Sequence, residues 1–565
     1  MKKMLISIMF VIIILGSSAS GQIIENDLDT TKLEVHDKLL TNQQWIEDLD
    51  FLVSRLKEIH PNIYSKISEE DFYNIVRNAK LKIKQSDSDI GCYMEIRKVI
   101  SSIKDGHTYL SYKGITNFTL GKLPIKLDCF SDGIFLSAVD SSNKNFLGME
   151  VTEIGGIPID VALQRVIGIT SEDNYSGRKK SAMNVFRYPH LLNGLKLTAN
   201  KKTVNLTLRD QNNQFHDFQI STIEDWKASQ FFTVESLLTD SIPLHLRNRD
   251  RQYWFEYLKD ESTLYFQFNA IGDQGGDEEP LDHFLSRLWQ YLDKHSSEIS
   301  KLVIDIRYNS GGSGRMAIPI VKEILKRDYI NNSEKLFVLT GNKTYSAAVV
   351  MSTAILEFTE AVFVGDAPGC PSNLFSNSID AGKLPNSKYS LSISTRQIDN
   401  AWIDNRENFP VEIPALFSSK AYFEGEDPAL DAIFSGNAEP IWKIAKRNGV
   451  EAALTRFNEI TSKYPNLKWW NSSILEPQIN DYGIRVARNY YYEKDETLKE
   501  KFFKESMNLL LLNTKLCPKS SEAFQNLGFL YVISGQNELA ILNYEKSLEL
   551  NPDNSEVNAM LGRLK

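Results

Sequence analysis

Cys92, Cys129, Cys370 and Cys517 are the four cysteines in 565 residues. They are too few and too scattered for a disulfide framework or a zinc-ligand spacing, so the fold must be held by its cores. No Gly-rich dinucleotide loop, phosphate loop or His-Glu-x-x-His helix occurs, and no cofactor or metal is expected. Positive charge is also short. Lys and Arg number 64 against 73 Asp and Glu, for a net charge of −9, and no Lys/Arg-rich block occurs. Without a basic field to draw phosphates, a nucleic-acid partner is excluded, and partners are expected to be proteins or peptides. Beyond the amino terminus no run is long and apolar enough to span a bilayer.

What is present reads as an ordinary globular chain, 42% hydrophobic and 24% charged. Its length calls for several domains. Lys2 and Lys3 precede an apolar run from Met4 to Leu15, and Ala19-Ser20-Gly21 offers small residues before Gln22. This predicts a signal peptide over 1–21 and an exported protein, periplasmic or extracellular in a bacterial envelope. Left uncut, the same run would be a membrane anchor. No cysteine follows it to carry a lipid.

Residues 22–115 read as a helical segment carrying a histidine loop. Trp45, Leu49, Leu52, Leu56 and Ile59 recur at helical spacing, His60-Pro61 ends that run, and further helices follow over Glu70–Ile83 and Tyr93–Ile103. Residues 116–222 change to short alternating runs, with a Gly155-Gly156 turn inside a strand pair, and read as a small mostly-β module. Residues 223–437 alternate buried strands (Leu264–Phe268, Leu302–Ile306, Leu336–Thr340, Ala361–Val364) with helices, as parallel βαβ units do. Residues 438–565 are helical. Phe524, Leu527, Gly528, Tyr531, Ala540, Tyr544 and Pro552 fall on the positions of a 34-residue tetratricopeptide repeat. Such a domain offers a groove for a protein partner, or merely packs on the core.

Ser346 follows a buried strand and a Gly341-Asn342-Lys343 turn and opens a helix at Ala347-Ala348. A serine there stands at the strand's carboxyl end, beside free helical N–H groups that suit an oxyanion. The same pattern also serves a plain N-cap serine. One βα unit earlier lies Asn309-Ser310-Gly311-Gly312-Ser313-Gly314. There Gly311 or Gly312, with Ala347, would supply backbone donors, unless the loop is only a flexible connection. His107 follows an Asp105-Gly106 turn and is the most site-like of eight histidines, although a surface histidine would look the same. A serine nucleophile needs such a base. Lys343 reads as a solvated turn residue.

These residues together resemble the tail-specific (C-terminal processing) serine peptidases. Asp305-Ile306-Arg307-Tyr308-Asn309-Ser310-Gly311-Gly312 is similar to their Asp-Leu-Arg-x-Asn-x-Gly-Gly signature, and Thr344-Tyr345-Ser346-Ala347-Ala348 to their nucleophile segment. Val364-Gly365-Asp366 and Asp427-Pro428-Ala429-Leu430 follow in the family's order, and the likeness spans roughly residues 40–435. The resemblance implies an α/β crotonase-like (ClpP-like) core, a PDZ-like module at 116–222 and hydrolysis of peptide bonds near C-termini. In the Ser–Lys branch of the family a lysine lies 25 residues after the serine, and that position here is Pro371, which cannot act as a base. Asp105-Gly106-His107-Thr108 instead resembles the tricorn-core branch, which implies His107 as general base. Glu407, in Glu407-Asn408-Phe409-Pro410-Val411, is similar to that branch's acid in part and would orient the histidine. Two other functions fit the same residues: a peptide- or apolar-ligand-binding protein that has lost turnover, and an envelope scaffold working through its repeats.

Overall fold

The computed structural model describes residues 38–112, 114, 121–223, 231–238, 242–273, 279–401 and 406–565, so the signal peptide expected over 1–21 lies outside the described residues. Among the described residues no helix is long and apolar enough to cross a membrane.

Three helices open the described chain, Asn42–Ile59, Glu69–Gln85 and Asp89–Ser102. Each starts on a side-chain cap: Thr41 and Gln44 form a capping box, and Ser68 and Ser88 accept the amides of Asp71 and Gly91. The stripe of Trp45, Leu49, Leu52 and Leu56 is buried, as its spacing predicts. His60 is extended and stops the first helix ahead of Pro61.

An antiparallel sheet follows, in the order Ile125–Phe130, Gly133–Asp140, Glu150–Ile154, Thr203–Arg209, Phe215–Ser221. Two short strands, Ile157–Pro158 and Phe231–Thr233, pair onto it. The stretch is less β-rich than its alternation suggests, because helices Ile159–Ile167, Tyr175–Val185 and Pro189–Gly194 are inserted before the closing hairpin. Ile157-Pro158-Ile159 alternates too briefly to separate a strand from a helix start. Pro158 in fact precedes the first helical residue, and Ala162, Leu163, Val166 and Ile167 form the buried face.

The second sheet has six strands, in the order Ile413–Pro414, Val362–Gly365, Leu336–Thr340, Lys301–Asp305, Thr263–Phe268, Tyr253–Leu258. All pair in parallel except the last, which is antiparallel to its neighbour. Helices Leu281–Lys294, Gly314–Leu325 and Ala347–Phe358 connect them. The four inner strands are buried on both faces, hence their continuous apolar runs, whereas the edge strand Tyr253–Leu258 is only partly buried.

A third, three-stranded sheet joins distant parts of the chain. Tyr109–Leu110 pairs antiparallel with Ser390–Ile393, which pairs with Ile379–Lys383. Through it the three front helices, the antiparallel sheet, and Leu384, Tyr389, Leu391 and Ile393 share one continuous core.

Seven helices, from Ile441–Asn448 to Ser555–Leu564, complete the chain. Their first members belong to the core of the six-stranded sheet, with Trp442, Trp470, Leu475, Ile479, Leu509 and Leu512 packed into it. Buried Glu412 pins this junction: its carboxylate accepts from Trp442 Nε1 at 3.0 Å, Gln478 Nε2 at 2.7 Å and the Phe363 amide at 3.2 Å. Near the carboxyl end Gly528 leaves room for the ring of Tyr544, which a Cβ there would meet at 2.7 Å.

Candidate active site

Leu336–Thr340 delivers the chain to the carboxyl edge of the parallel sheet, where the Gly341–Lys343 turn is fastened twice. Thr344 Oγ1 donates to the Ile306 carbonyl at 2.8 Å and accepts the Gly341 amide at 3.1 Å. The Tyr345 amide donates to the Asn309 carbonyl at 3.0 Å. Ser346 then takes φ +55° and ψ −126° before the helix begins at Ala347. A serine held at positive φ costs about 1–3 kcal/mol, which the fastened neighbours must offset. Its amide donates to the Cys370 sulfur at 3.3 Å. Burial first, and then the nearby Asp173 charge, push that thiol's pKa far up, so Cys370 stays protonated beside the serine.

His107 arrives from the other end of the molecule. Asp105 is fully buried and organises the turn: its Oδ1 accepts the His107 amide at 2.9 Å, and its Oδ2 accepts Thr108 Oγ1 at 2.5 Å and faces His60 Nε2 at 3.2 Å. The Asn62 amide donates to His60 Nδ1 at 3.2 Å, which leaves the His60 Nε2 proton for Asp105. Burial raises the Asp105 pKa, but the hydrogen bonds from His60 and Thr108 outweigh it and hold the carboxyl below its ordinary range. Gly106 fits because of space: a Cβ there would lie 2.2 Å from the Tyr345 hydroxyl.

His107 Nε2 and Ser346 Oγ lie 3.0 Å apart, across 239 residues of sequence. The far side of the imidazole is also engaged. Tyr345 Oη lies 3.2 Å from His107 Nδ1 and donates to Asp173 Oδ2 at 2.8 Å, and the two rings stack with centroids 5.0 Å apart. Because the phenol proton goes to Asp173, the phenol oxygen is left to accept Nδ1–H. The Nε2 lone pair then faces the serine, the tautomer a base requires. Burial pushes the Tyr345 phenol far up, so it keeps its proton. Burial, with Asp105 nearby, pushes Asp173 up to about 8, so at neutral pH this support is largely uncharged. The negative charge near the ring is Asp105, whose Oδ1 is 3.9 Å from Nδ1. Burial lowers the His107 pKa and Asp105 opposes that, with the net direction downward.

Three sequence expectations change on this geometry. Glu407 does not stand behind His107: its half-exposed side chain faces Lys104 Nζ at 4.0 Å, and the Nδ1 position belongs to Tyr345. A loop glutamate free to reach solvent has little reason to bury itself beside a ring already hydrogen-bonded. Gly311 does not offer its amide, because the Asn309 side chain folds back to accept it at 2.9 Å. Its glycine identity answers to space instead: φ is +106° and a Cβ would sit 2.8 Å from Ser346 Cβ. Gly312, at φ +134°, and Ala347, at the helix start, have no such competitor among the described residues. Lys343 is not simply solvated; its ammonium lies over the Tyr308 ring at 5.2 Å.

Neither Tyr345 nor Asp173 was assigned a role from the sequence. Its place next to Ser346 is the signal that could have found Tyr345, whereas Asp173 sits in a polar stretch, Thr170-Ser171-Glu172-Asp173-Asn174, with no local sign of a site. Among the described residues no group of three His, Cys, Asp or Glu is placed to hold a metal ion.

No protein-family model and no curated protein matches the sequence. Solved structures do. Mature CPAF complexed with lactacystin is 12% identical and aligns over 70% of this chain and 99% of its own, with a TM-score of 0.50. The photosystem II D1 C-terminal processing protease is 10% identical over 70% of this chain and 97% of its own, with a TM-score of 0.33. A putative S41 protease from Bacteroides fragilis NCTC 9343 is 12% identical over 72% and 98%, with a TM-score of 0.29. The likeness to mature CPAF is one of fold.

Proposed function

We propose that the chain is a serine peptidase with Ser346 as nucleophile and His107 as general base. The observation that carries this reading is the 3.0 Å approach of His107 Nε2 to Ser346 Oγ, with Nδ1 held from behind by Tyr345. In the reaction Ser346 Oγ attacks the scissile carbonyl and its proton passes to His107 Nε2. The amides of Gly312 and Ala347 receive the oxyanion. The imidazolium returns its proton to the leaving amine, and water, deprotonated by the same nitrogen, releases the acyl group from Ser346.

The finer assignments extend this reading. The Asp105-Gly106-His107-Thr108 turn and Pro371 at the would-be lysine position favour the tricorn-core-like branch over the Ser–Lys branch. The parallel six-stranded sheet is read as a crotonase-like core over 223–437, the antiparallel sheet as a PDZ-like module over 116–222, and the last helices as a tetratricopeptide-like domain over 438–565 available to a protein partner. The signal-like start supports an exported enzyme acting on envelope or secreted proteins, near their C-termini.

A fluorophosphonate probe tests the central assignment. It should label the protein at Ser346, and Ser346→Ala should abolish both labelling and peptide hydrolysis, a loss of several orders of magnitude. Peptidase activity surviving Ser346→Ala at the parent rate would sink the reading.

A further inference from the structure

Beside the serine turn lies a cavity of about 330 Å³. One wall is the Gly341–Lys343 turn, which runs directly into Thr344-Tyr345-Ser346, with Gly365 and Asp366 next to it at the same sheet edge. The lining also includes Lys126–Ser131 of the antiparallel sheet and the helix bearing Lys179. The space is thus formed where the two sheets meet, at the carboxyl ends of the parallel strands, where ligands of such sheets bind.

Its charge runs against that of the molecule. The chain carries −9 overall. The cavity is lined by Lys126, Lys179, Arg187, Arg249, Arg307 and Lys343 against Asp128, Glu235 and Asp366. Arg307 is neutralised from behind, by Asp305 at 2.7 Å and Asp427 at 2.8 Å, so five cations face three acids. Arg249 has Glu235 at 3.6 Å, and both Arg249 and Lys343 lie over the Tyr308 ring, at 4.6 and 5.2 Å. Lys343 forms no ion pair among the described residues. Burial lowers its pKa, Asp128 partly restores it, and Arg249 and Lys180 lower it again. Lys126 is likewise depressed, by burial first and then by Arg249 and Arg187. Cations that repel one another in a shared, partly dry space gain from an anion placed among them.

We infer that this cavity is a subsite for an acidic side chain of the peptide substrate, giving the enzyme a preference for peptides that carry glutamate or aspartate; the inference rests on the peptidase reading above. A free terminal carboxylate carries the same chemistry and is separated by experiment.

Three dansyl peptides serve as probes: Ala-Ala-Glu-Ala amide, Ala-Ala-Ala-Ala free acid and the neutral Ala-Ala-Gln-Ala amide. Binding to Ser346→Ala protein by fluorescence anisotropy keeps affinity apart from turnover. The glutamate peptide should bind about tenfold more tightly than the neutral one, and a gain confined to the free-acid peptide overturns the inference. Lys343→Gln and Lys126→Gln should each shrink that preference several-fold, whereas Lys343→Arg, which keeps the charge, should retain it. Equal affinity for the three peptides, or a preference untouched by both neutral variants, overturns the inference. If the Ser346-bearing protein cleaves peptides without such a preference, the subsite fails and the peptidase reading stands. If the preference is found but nothing is cleaved, the reverse holds.

Discussion

The imidazole of His107 has a different partner on each nitrogen, and each partner predicts a measurement. On the peptidase reading Nε2 must be unprotonated to accept the Ser346 proton. Burial moves the ring's pKa below the ordinary histidine value of about 6.5, with Asp105 opposing. The base form therefore persists further into acid than for a free histidine. A profile of kcat/KM against pH should rise with pH and reach half its plateau below about 6.5; a midpoint above that value would contradict the burial argument. Nδ1 depends on the phenol of Tyr345. Tyr345→Phe keeps the stacked ring but removes the oxygen that fixes the tautomer, so kcat should fall roughly 10- to 100-fold with KM little changed. Glu407→Gln should leave both constants nearly as they were, since Glu407 faces Lys104 at a half-exposed position. At this scale the sequence pointed to the two side chains that meet, because Ser346 and His107 sit in contiguous turn motifs. It hid Asp173, because a side chain brought in by tertiary packing leaves no trace in its neighbours.

Among the elements, the approach of the Asn309–Gly314 loop to the serine turn is set by glycine. At Gly311, φ of +106° and a Cβ 2.8 Å from Ser346 Cβ mean that Gly311→Ala must displace the serine. Fluorophosphonate labelling should fall at least tenfold while the far-ultraviolet circular dichroism is kept. A second joint lies deeper. Asp427 caps the Pro428–Phe434 helix and takes both terminal nitrogens of Arg307, at 3.0 and 2.8 Å. Asp427→Asn removes one partner of a buried pair and should cost about 3–5 kcal/mol in chemical denaturation. Burial raises the Asp427 pKa, but the Arg307 charge holds it well below the usual carboxylate range. The stability this pair contributes is therefore complete above about pH 4 and is lost as pH falls further toward the folded-state value. The parallel strands and their helices were legible, because apolar runs bounded by glycine turns leave few alternatives. The Ile159–Ile167 helix was not, because its start shares the alternation of the strand before it.

For the molecule as a whole, the pattern of hydrophobic sharing matters more than the order of segments. The helices from Ile441 through Leu516 contribute to the core of the six-stranded sheet, and Trp442 and Gln478 complete the hydrogen bonds of Glu412. Past that point the Ser521–Ile533 helix contributes Leu527 and Leu530 to a small cluster with Ala487 and Leu510. Ending the chain after Lys519 should therefore lower Tm by a few degrees and leave Ser346 labelling intact. Ending it after Asn437 should yield insoluble protein, since it bares a large apolar face and strands a buried carboxylate. Such sharing is invisible in periodicity, which reports that a face is buried but not against what. The small sheet that pairs Tyr109–Leu110 with Ser390–Ile393 has a consequence in time. During synthesis the histidine emerges early and the serine much later, and the strand that fixes the histidine's loop emerges later still. A ribosome must release most of the polypeptide before the two side chains are locked in register, so on the peptidase reading an unfinished chain carries a disarmed hydrolase.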